Sequence, residues 1–419
     1  MQNRRSLWWM CGFVLASLSC GGPGQSAQDT DLKLEWEITN PLDFSREEVV
    51  MVPSVNWQEL SSSKDELVWT QSGQPIPSQW IPNAEGVPSS ALLWVETAGN
   101  ERQTVELSLR KQDQIIPDFP KRTQAELSHK FGGHWEGHEY MEGHFENVQD
   151  LRVPPEHTDH SWYIRYEGPG WESDKVGYRF YLDWRNATDI FGKKTHNMVL
   201  QGVGLDGFDS YHEPSDWGMD ILKVGKSLGV GSLATWVKDT AQRVAVTDSV
   251  FCRITENGLL RSVVATQYDG WQAGDFKTDV TSKLSIEAGS RLTRHEVTVS
   301  SEVPNLCTGL VKLDGGEVVP DAPTAGWSYL ATYGKQSLAN DRVGMAVLFR
   351  TEDLIERTED ALSHVVVLRP VNRQLTYYFL AAWEQEPVGI TTRESFTEYL
   401  TRVVECLNHP FLVETIASR

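Results

Sequence analysis

The sequence predicts an all-β protein: a large antiparallel β-sandwich with a smaller N-terminal β region and one C-terminal helix. Three observations support this class. Short runs of alternating apolar and polar residues recur along most of the chain, as is typical of half-buried strands. Turn residues such as Glu256-Asn257-Gly258 and Ala288-Gly289 separate these runs, as in hairpins. Only one stretch has a clear helical period, so a many-stranded sandwich is expected.

The first 20 residues have the pattern of a secretory signal peptide. An arginine pair precedes an apolar run over residues 7–18, and Cys20 follows shortly after it. This form is used by bacterial lipoproteins, so we expect an exported protein, periplasmic or at the cell surface, with a lipid anchor at Cys20. Ser17 stands where such signals carry an aliphatic residue. Ordinary cleavage near Ser26-Ala27 is the alternative.

Residues 28–118 form the predicted N-terminal β region, and residues 121–419 form the main β-sandwich domain. In the first region Leu34, Trp36 and Ile38 alternate with polar residues, and two further runs lie on either side of Gly99-Asn100. In the main domain the strand pattern continues almost to the C-terminus. There Thr391 and Glu394 have the spacing of a capping box, and apolar residues follow at helical period.

Composition limits the possible partners and chemistry. The formal net charge is −20, which disfavours binding to nucleic acid. After the signal peptide only Cys252, Cys307 and Cys406 remain, so at most one disulfide is possible. The chain has 16 Trp; aromatic residues serve both strand packing and sugar stacking, and their number does not separate the two uses.

The centre of the chain has the highest density of candidate site residues. Residues 162–185 read as a hairpin of two alternating strands, the second with Tyr178 and Phe180 on one face and Arg179 and Tyr181 on the other. A glycine-rich loop with His212 follows. Loops that carry aromatic and titratable residues on a β scaffold are common places for sites.

Six histidines precede this stretch. His134 and His138 are four residues apart, a spacing that suits a metal site on a helix, but the four neighbouring glycines argue against a helix. With His160 they are candidate ligands for a divalent metal ion. The alternative is that these histidines belong to surface hairpins.

The segments RVPPEHTDHSWYIRYEGPGWESDKVGYRFYLDWRNATDIFGKK and SYHEPSDWGMDILKVGKSLG resemble DUF4861, a family of secreted bacterial β-proteins. The resemblance implies a role in polysaccharide use, because the family includes a dehydratase that acts on oligosaccharides of ulvan. Such an enzyme removes water across C4–C5 of a non-reducing-end uronic acid and leaves a 4,5-unsaturated uronate. The implied partner is an anionic oligosaccharide.

This chemistry needs cations on the carboxylate, a base at C5 and an acid for the departing hydroxyl, and no cofactor. We expect His212 to be the base, Tyr181 or Tyr163 the acid, and Arg179 part of a carboxylate clamp. The residues expected to bind substrate are Arg165, Arg185, Lys193, Trp217, Trp171 and Asp216.

Three rival functions fit the same sequence. A polysaccharide lyase differs only in its leaving group. A glycoside hydrolase needs two carboxylates at a suitable separation, and Glu172, Asp183, Asp216 and Asp220 are candidates. A cell-surface glycan-binding lipoprotein needs only aromatic surfaces on a β-sandwich.

Overall fold

The protein is described here by a computed structural model that covers residues 33–321 and 325–416. The predicted signal peptide, Cys20 and the alternative cleavage site near Ser26-Ala27 lie outside the described residues. No helix in the described ranges is both long and apolar enough to cross a membrane.

The N-terminal region is a small sandwich of two antiparallel sheets. Its strands are β1 (Lys33–Thr39), β2 (Arg46–Val52), β3 (Leu67–Gln71), β4 (Gln74–Pro75), β5 (Ser78–Pro82), β6 (Pro88–Thr97) and β7 (Arg102–Leu109). The sheets enclose a core rich in tryptophan, with the Trp36 and Trp69 rings 5.0 Å apart. The two runs on either side of Gly99-Asn100 are therefore strands, as predicted, but they belong to different sheets.

Ten short strands fill the middle of the chain. They are β8 (Thr123–Glu126), β9 (Ser128–Phe131), β10 (His134–Glu136), β11 (Glu139–Met141), β12 (His144–Asn147), β13 (Asp150–Arg152), β14 (Gly170–Ser173), β15 (Gly177–Phe180), β16 (Thr188–Lys193) and β17 (Gly218–Asp220). The predicted hairpin exists, but its strands are β14 and β15. The first predicted strand is wrong, because Trp162 and Tyr166 have φ of +60° and +40°, which an extended chain cannot adopt.

Fourteen further strands and one α-helix complete the described part of the chain. They are β18 (Ala234–Val237), β19 (Thr240–Arg243), β20 (Ser249–Asn257), β21 (Arg261–Ala273), β22 (Phe276–Glu287), β23 (Thr293–Val299), β24 (Leu306–Val311), β25 (Gly316–Val319), β26 (Trp327–Lys335), β27 (Arg342–Arg350), β28 (Leu354–Glu359), β29 (Ser363–Leu368), β30 (Gln374–Trp383), α1 (Arg393–Asn408) and β31 (Leu412–Ile416). Short 3-10 helices span Trp57–Glu59, Lys64–Glu66, Arg165–Glu167, Leu200–Gly202, Ser210–His212 and Thr351–Asp353.

The main domain is built on a nine-stranded antiparallel sheet, which we call the central sheet, with the order β13-β20-β21-β22-β23-β30-β27-β26-β25. Two five-stranded sheets pack against it: β17-β16-β15-β14-β8, which we call the site sheet, and β19-β18-β24-β29-β28. The resulting core contains Trp171, Trp271 and Trp383, all essentially inaccessible to solvent. The predicted all-β sandwich with one C-terminal helix is confirmed.

Helix α1 covers the outer face of the central sheet. Phe396, Leu400, Val403 and Val404 are buried against β26 and β27, as the helical period predicts. The capping box lies one residue later than predicted: Thr392 is the N-cap, and its side chain accepts a hydrogen bond from the Ser395 amide. After the helix, β31 returns to the N-terminal sandwich and pairs with β1.

Candidate active site

The two faces of the site sheet have opposite chemistry. Trp171, Tyr178 and Ile190 alternate toward the apolar core, whereas Arg179 and Asp189 are paired neighbours on the opposite face. This charged face is not exposed, since both residues are at most 2% accessible. Burying charge on this scale is costly unless each group is paired, so the segments that cover this face must supply partners.

Two segments cover the charged face: residues 160–167 and residues 199–212. In the first, His160, Trp162, Tyr166 and Glu167 all have φ between +40° and +72°. Non-glycine residues in this region cost free energy and cluster at functional sites. The strained backbone brings Glu167 inward, toward the charged face of the sheet.

A cavity of about 450 Å³ lies between these two segments and the ribbon formed by β9 and β12. The residues that line it are Lys130, Gly143, His144, Phe145, Trp162, Ile164, Tyr166, Glu167, Gly204, Leu205, Asp206, Gly207, Phe208 and Tyr211. Aromatic walls with a few polar groups are typical of sites for small organic ligands, sugars included.

Arg179 is the centre of a buried ionic cluster directly behind this cavity. Its guanidinium donates hydrogen bonds to Asp189 and Asp220, and its Nη1 donates to the Tyr211 hydroxyl at 2.9 Å. Glu167 completes the cluster at 3.8 Å. Arg179 thus makes four hydrogen bonds to groups of the protein, so a substrate carboxylate would have to compete with this cluster for it.

His212 joins the same cluster from the other side. Its Nε2 lies 3.3 Å from Asp220, and its Nδ1 lies 2.8 Å from the Phe208 carbonyl oxygen, to which it donates. Burial lowers the pKa of His212, but the hydrogen bond and charge of Asp220 outweigh burial and raise it. With both nitrogens engaged, and outside the set of residues lining the cavity, His212 does not have the geometry of the expected base.

Tyr181 donates its hydroxyl to Asp189. Burial, reinforced by the charge of Asp220, raises the pKa of Asp189 to about 6, and burial raises that of Tyr181. Tyr181 therefore stays a neutral donor to a carboxylate of the cluster and does not line the cavity. The structure does not support its role as the acid.

Tyr211, like Glu167, is a residue of the cluster that lines the cavity. The hydroxyl oxygen of Tyr211 accepts a hydrogen bond from Arg179. The hydroxyl proton of Tyr211 is therefore not used in that bond and can be donated to another group. Burial raises the pKa of Tyr211, which keeps the phenol protonated. These features suit a proton donor.

Arg165 and Lys193 brace the segment that forms one wall of the cavity. Arg165 pairs with Glu126 and donates to the carbonyl oxygens of Leu200, Gln201 and Val203, which lie at and after a 3-10 helix. Lys193 pairs with Glu172, whose other oxygen accepts from the amides of Val199 and Leu200. The two expected substrate-binding cations are structural supports, neutralised by their own carboxylates.

Arg185 is likewise paired with carboxylates of the protein. Its guanidinium binds Asp183 and lies 2.7 Å from Glu167, and it stacks on the Tyr181 ring at 3.9 Å. It therefore holds Glu167 and is not free for a ligand.

Lys130 is the one Lys or Arg among the described residues that line the cavity. Its ammonium group donates to the Tyr140 carbonyl oxygen at 3.4 Å and lies 5.6 Å from the Phe145 ring. Burial lowers its pKa, and no carboxylate in residues 33–321 or 325–416 counters the effect. This cation is thus available to an anionic ligand. Sequence reasoning missed it because the lack of a carboxylate partner is visible only in the assembled structure.

His144 lies on the neighbouring strand, at the mouth of the cavity, with most of its side chain exposed. Its Nε2 is 2.7 Å from Glu146. A carboxylate partner favours the tautomer with the proton on Nε2. The other nitrogen, Nδ1, then becomes a proton acceptor.

The remaining expected residues lie outside the cavity. Trp171 is fully buried and donates to Thr293, so it cannot stack on a sugar. Trp217 packs against Phe191, Asp216 is exposed, and Tyr163 packs among other aromatic rings.

The candidate metal ligands do not form a cluster. His134 faces Glu136, and His138 and His160 each have one carboxylate neighbour. Over residues 33–321 and 325–416, no three His, Cys, Asp or Glu side chains are grouped to hold a metal ion. Cys252, Cys307 and Cys406 are free thiols.

The fold and site define a large β-sandwich protein with an aromatic cavity backed by a buried ionic cluster. The chain belongs to the family described as a domain of unknown function, DUF4861, whose model matches residues 38–413. A comparison with curated protein sequences finds no match.

A comparison with solved structures matches the chain to proteins that include two from Enterococcus faecalis. One is a protein in glycosyl hydrolase family 38, with 7% identity and a TM-score of 0.42 over 92% of this chain and 47% of that one. The other is an alpha-mannosidase, with 8% identity and a TM-score of 0.37 over 92% of this chain and 46% of that one. The chain thus spans about half the length of each.

Proposed function

We propose that this protein is a carbohydrate-active enzyme, and that it removes water across C4–C5 of a uronic acid at the non-reducing end of an oligosaccharide. The observation that carries the proposal is the cavity itself: aromatic walls enclose one cation, Lys130, that no carboxylate of the described residues neutralises. The other cations of the neighbourhood are all paired. A ligand with a carboxylate would supply the partner that Lys130 lacks. The dehydration is the activity that the family resemblance implies.

In this proposal Lys130 offsets the negative charge that develops on the uronate carboxylate when C5 loses its proton. His144 accepts that proton at Nδ1, and Tyr211 donates its proton to the departing C4 hydroxyl. The C5–H and C4–O bonds break, the C4=C5 double bond forms, and water leaves. Solvent returns the proton from the imidazole to the phenolate.

The test is incubation of the purified protein with uronate-ended oligosaccharides, followed by mass spectrometry and ultraviolet absorbance. We expect a conjugated enoate and the loss of one water from an intact chain. An enoate with chain cleavage would instead show a lyase. Cleavage without an enoate would show a hydrolase, and binding without turnover would show a glycan-binding protein.

We expect Lys130→Ala to lower kcat/KM for a uronate substrate by about 10- to 100-fold, as loss of one charged hydrogen bond of about 1.5–3 kcal/mol implies. Lys277→Ala is the matched control, because Lys277 forms an exposed ion pair with Asp248. Equal activity of the two variants would contradict the role of Lys130.

A further inference from the structure

One oxygen of Glu167 has no hydrogen-bond partner although it is buried. Glu167 Oε1 accepts from the His160 amide at 3.0 Å and lies 2.7 Å from the Arg185 Nη2. Oε2 has no hydrogen bond in the structure, and its nearest cation, Arg179, is 3.8 Å away. A buried carboxylate oxygen without a donor is costly.

Three properties of the same residue indicate why the fold keeps this oxygen. Glu167 lines the cavity, and only 4% of the residue is accessible. Its backbone has a φ of +72°, and that of Tyr166 is +40°, so the chain is strained where it places this side chain. Burial alone would raise the pKa of Glu167, but Arg179 and Arg185 lower it. The group is thus an ionised acceptor.

We propose that Glu167 Oε2 is a hydroxyl-binding group, which accepts a hydrogen bond from a ring hydroxyl of the sugar in the cavity and selects for that hydroxyl. The inference deepens the proposed function and rests on it for the substrate class. A carboxylate has no proton to offer, so its partner must be a donor. A sugar hydroxyl is a donor, whereas the uronate carboxylate is not. In the proposed function the uronate carboxylate binds Lys130.

A site that is built to bind a hydroxyl rejects the analogue that lacks it, because the buried acceptor is then left unpaired. For the wild-type protein we expect a methyl glycoside to bind about 10- to 100-fold more tightly than its deoxy analogue at one ring position. Glu167→Ala should abolish this difference, so the effects of removing the hydroxyl and the carboxylate should not be additive.

The experiment is a double-mutant cycle by titration calorimetry. Its probes are methyl glucuronide, methyl glucoside and their monodeoxy analogues. Asp183→Asn is the matched control, because Asp183 also binds Arg185 but does not line the cavity. This variant should keep the discrimination against the deoxy analogue. Glu167→Gln tests the same role without a change of shape, and circular dichroism checks that each variant folds.

The outcomes separate this inference from the proposed function. Additive effects at every ring position, with uronate preferred, would overturn the role of Glu167 and leave the uronate substrate standing. Coupling to Glu167 with equal binding of the neutral glycoside would support Glu167 and count against the uronate. No binding of any glycoside by the wild-type protein would overturn both.

Discussion

At the scale of single residues, the cluster behind the cavity gives Arg179 a structural role. Three carboxylates surround it, and all are almost inaccessible. Arg179→Ala would leave them buried without their cation, so we expect a loss of about 3–5 kcal/mol in the free energy of unfolding. Urea denaturation measures it. Arg253→Ala is the control, because Arg253 forms a half-exposed pair with Asp150 and should cost less than about 1 kcal/mol.

His295 is expected to make the stability of the protein depend on pH. His295 is buried on the central sheet, with its Nε2 2.7 Å from the Ser282 hydroxyl, and burial lowers its pKa to about 3. The unfolded chain, with an ordinary histidine pKa near 6.5, binds a proton between these values that the folded protein does not. Stability therefore falls as pH falls through this window, by about 3 kcal/mol between pH 7 and pH 4.

The variant His295→Gln isolates this contribution, since it removes the titrating group and keeps a hydrogen-bonding side chain. We expect the stability of the variant to depend less steeply on pH than that of the wild type, measured as urea midpoints from pH 4 to pH 7. Parallel pH profiles for the two proteins would show that His295 does not control this dependence.

At the scale of elements, local pattern predicted much of the fold. The hairpin turns, the later strands and the buried face of α1 follow from alternation and helical period. The same alternation placed Tyr178 and Arg179 on opposite faces, which is what the site sheet shows.

The alternation of apolar and polar residues could not show which segments cover the charged face of the site sheet. The partners of Arg179 come from three separate segments, as Glu167, Asp189 and Asp220 show. The sequence therefore suggested free cations where the structure has neutralised ones. Lys130 was missed for the converse reason: its importance lies in the absence of a carboxylate partner among the residues that the structure describes, which only the assembled structure shows.

The helix offers an element-scale prediction. The Thr392 side chain caps the first turn of α1, so Thr392→Ala should cost about 1 kcal/mol in the free energy of unfolding. Thr401→Ala is the matched control, because Thr401 is exposed within the same helix and its hydroxyl bonds only to the Thr397 carbonyl oxygen. A similar loss for both variants, measured by urea denaturation, would show that the effect does not come from the cap, because helix propensity alone favours Ala over Thr.

At the scale of the whole molecule, the chain is not divided cleanly at residue 118. Strand β31 pairs along β1 from Glu35↔Ile416 to Thr39↔Leu412, and Phe411 and Val413 pack against the N-terminal core. Arg46 also donates to the His409 carbonyl oxygen. The end of the chain is thus part of the first sandwich, which links the two regions.

This link predicts how a C-terminal truncation will act. Removal of residues 412–419 should expose the edge of β1 and destabilise the N-terminal sandwich by several kcal/mol, because each lost backbone hydrogen bond contributes about 1 kcal/mol. The central sheet and α1 keep all their strand partners. Hydrogen exchange should therefore speed up in β1 and β7 but not in β22 or β23.

Substitution of Leu412 by Ala, which shortens an exposed side chain in the same strand, controls for sequence change alone. Equal acceleration in both sandwiches would mean that they unfold as one unit, and that β31 stabilises the molecule as a whole.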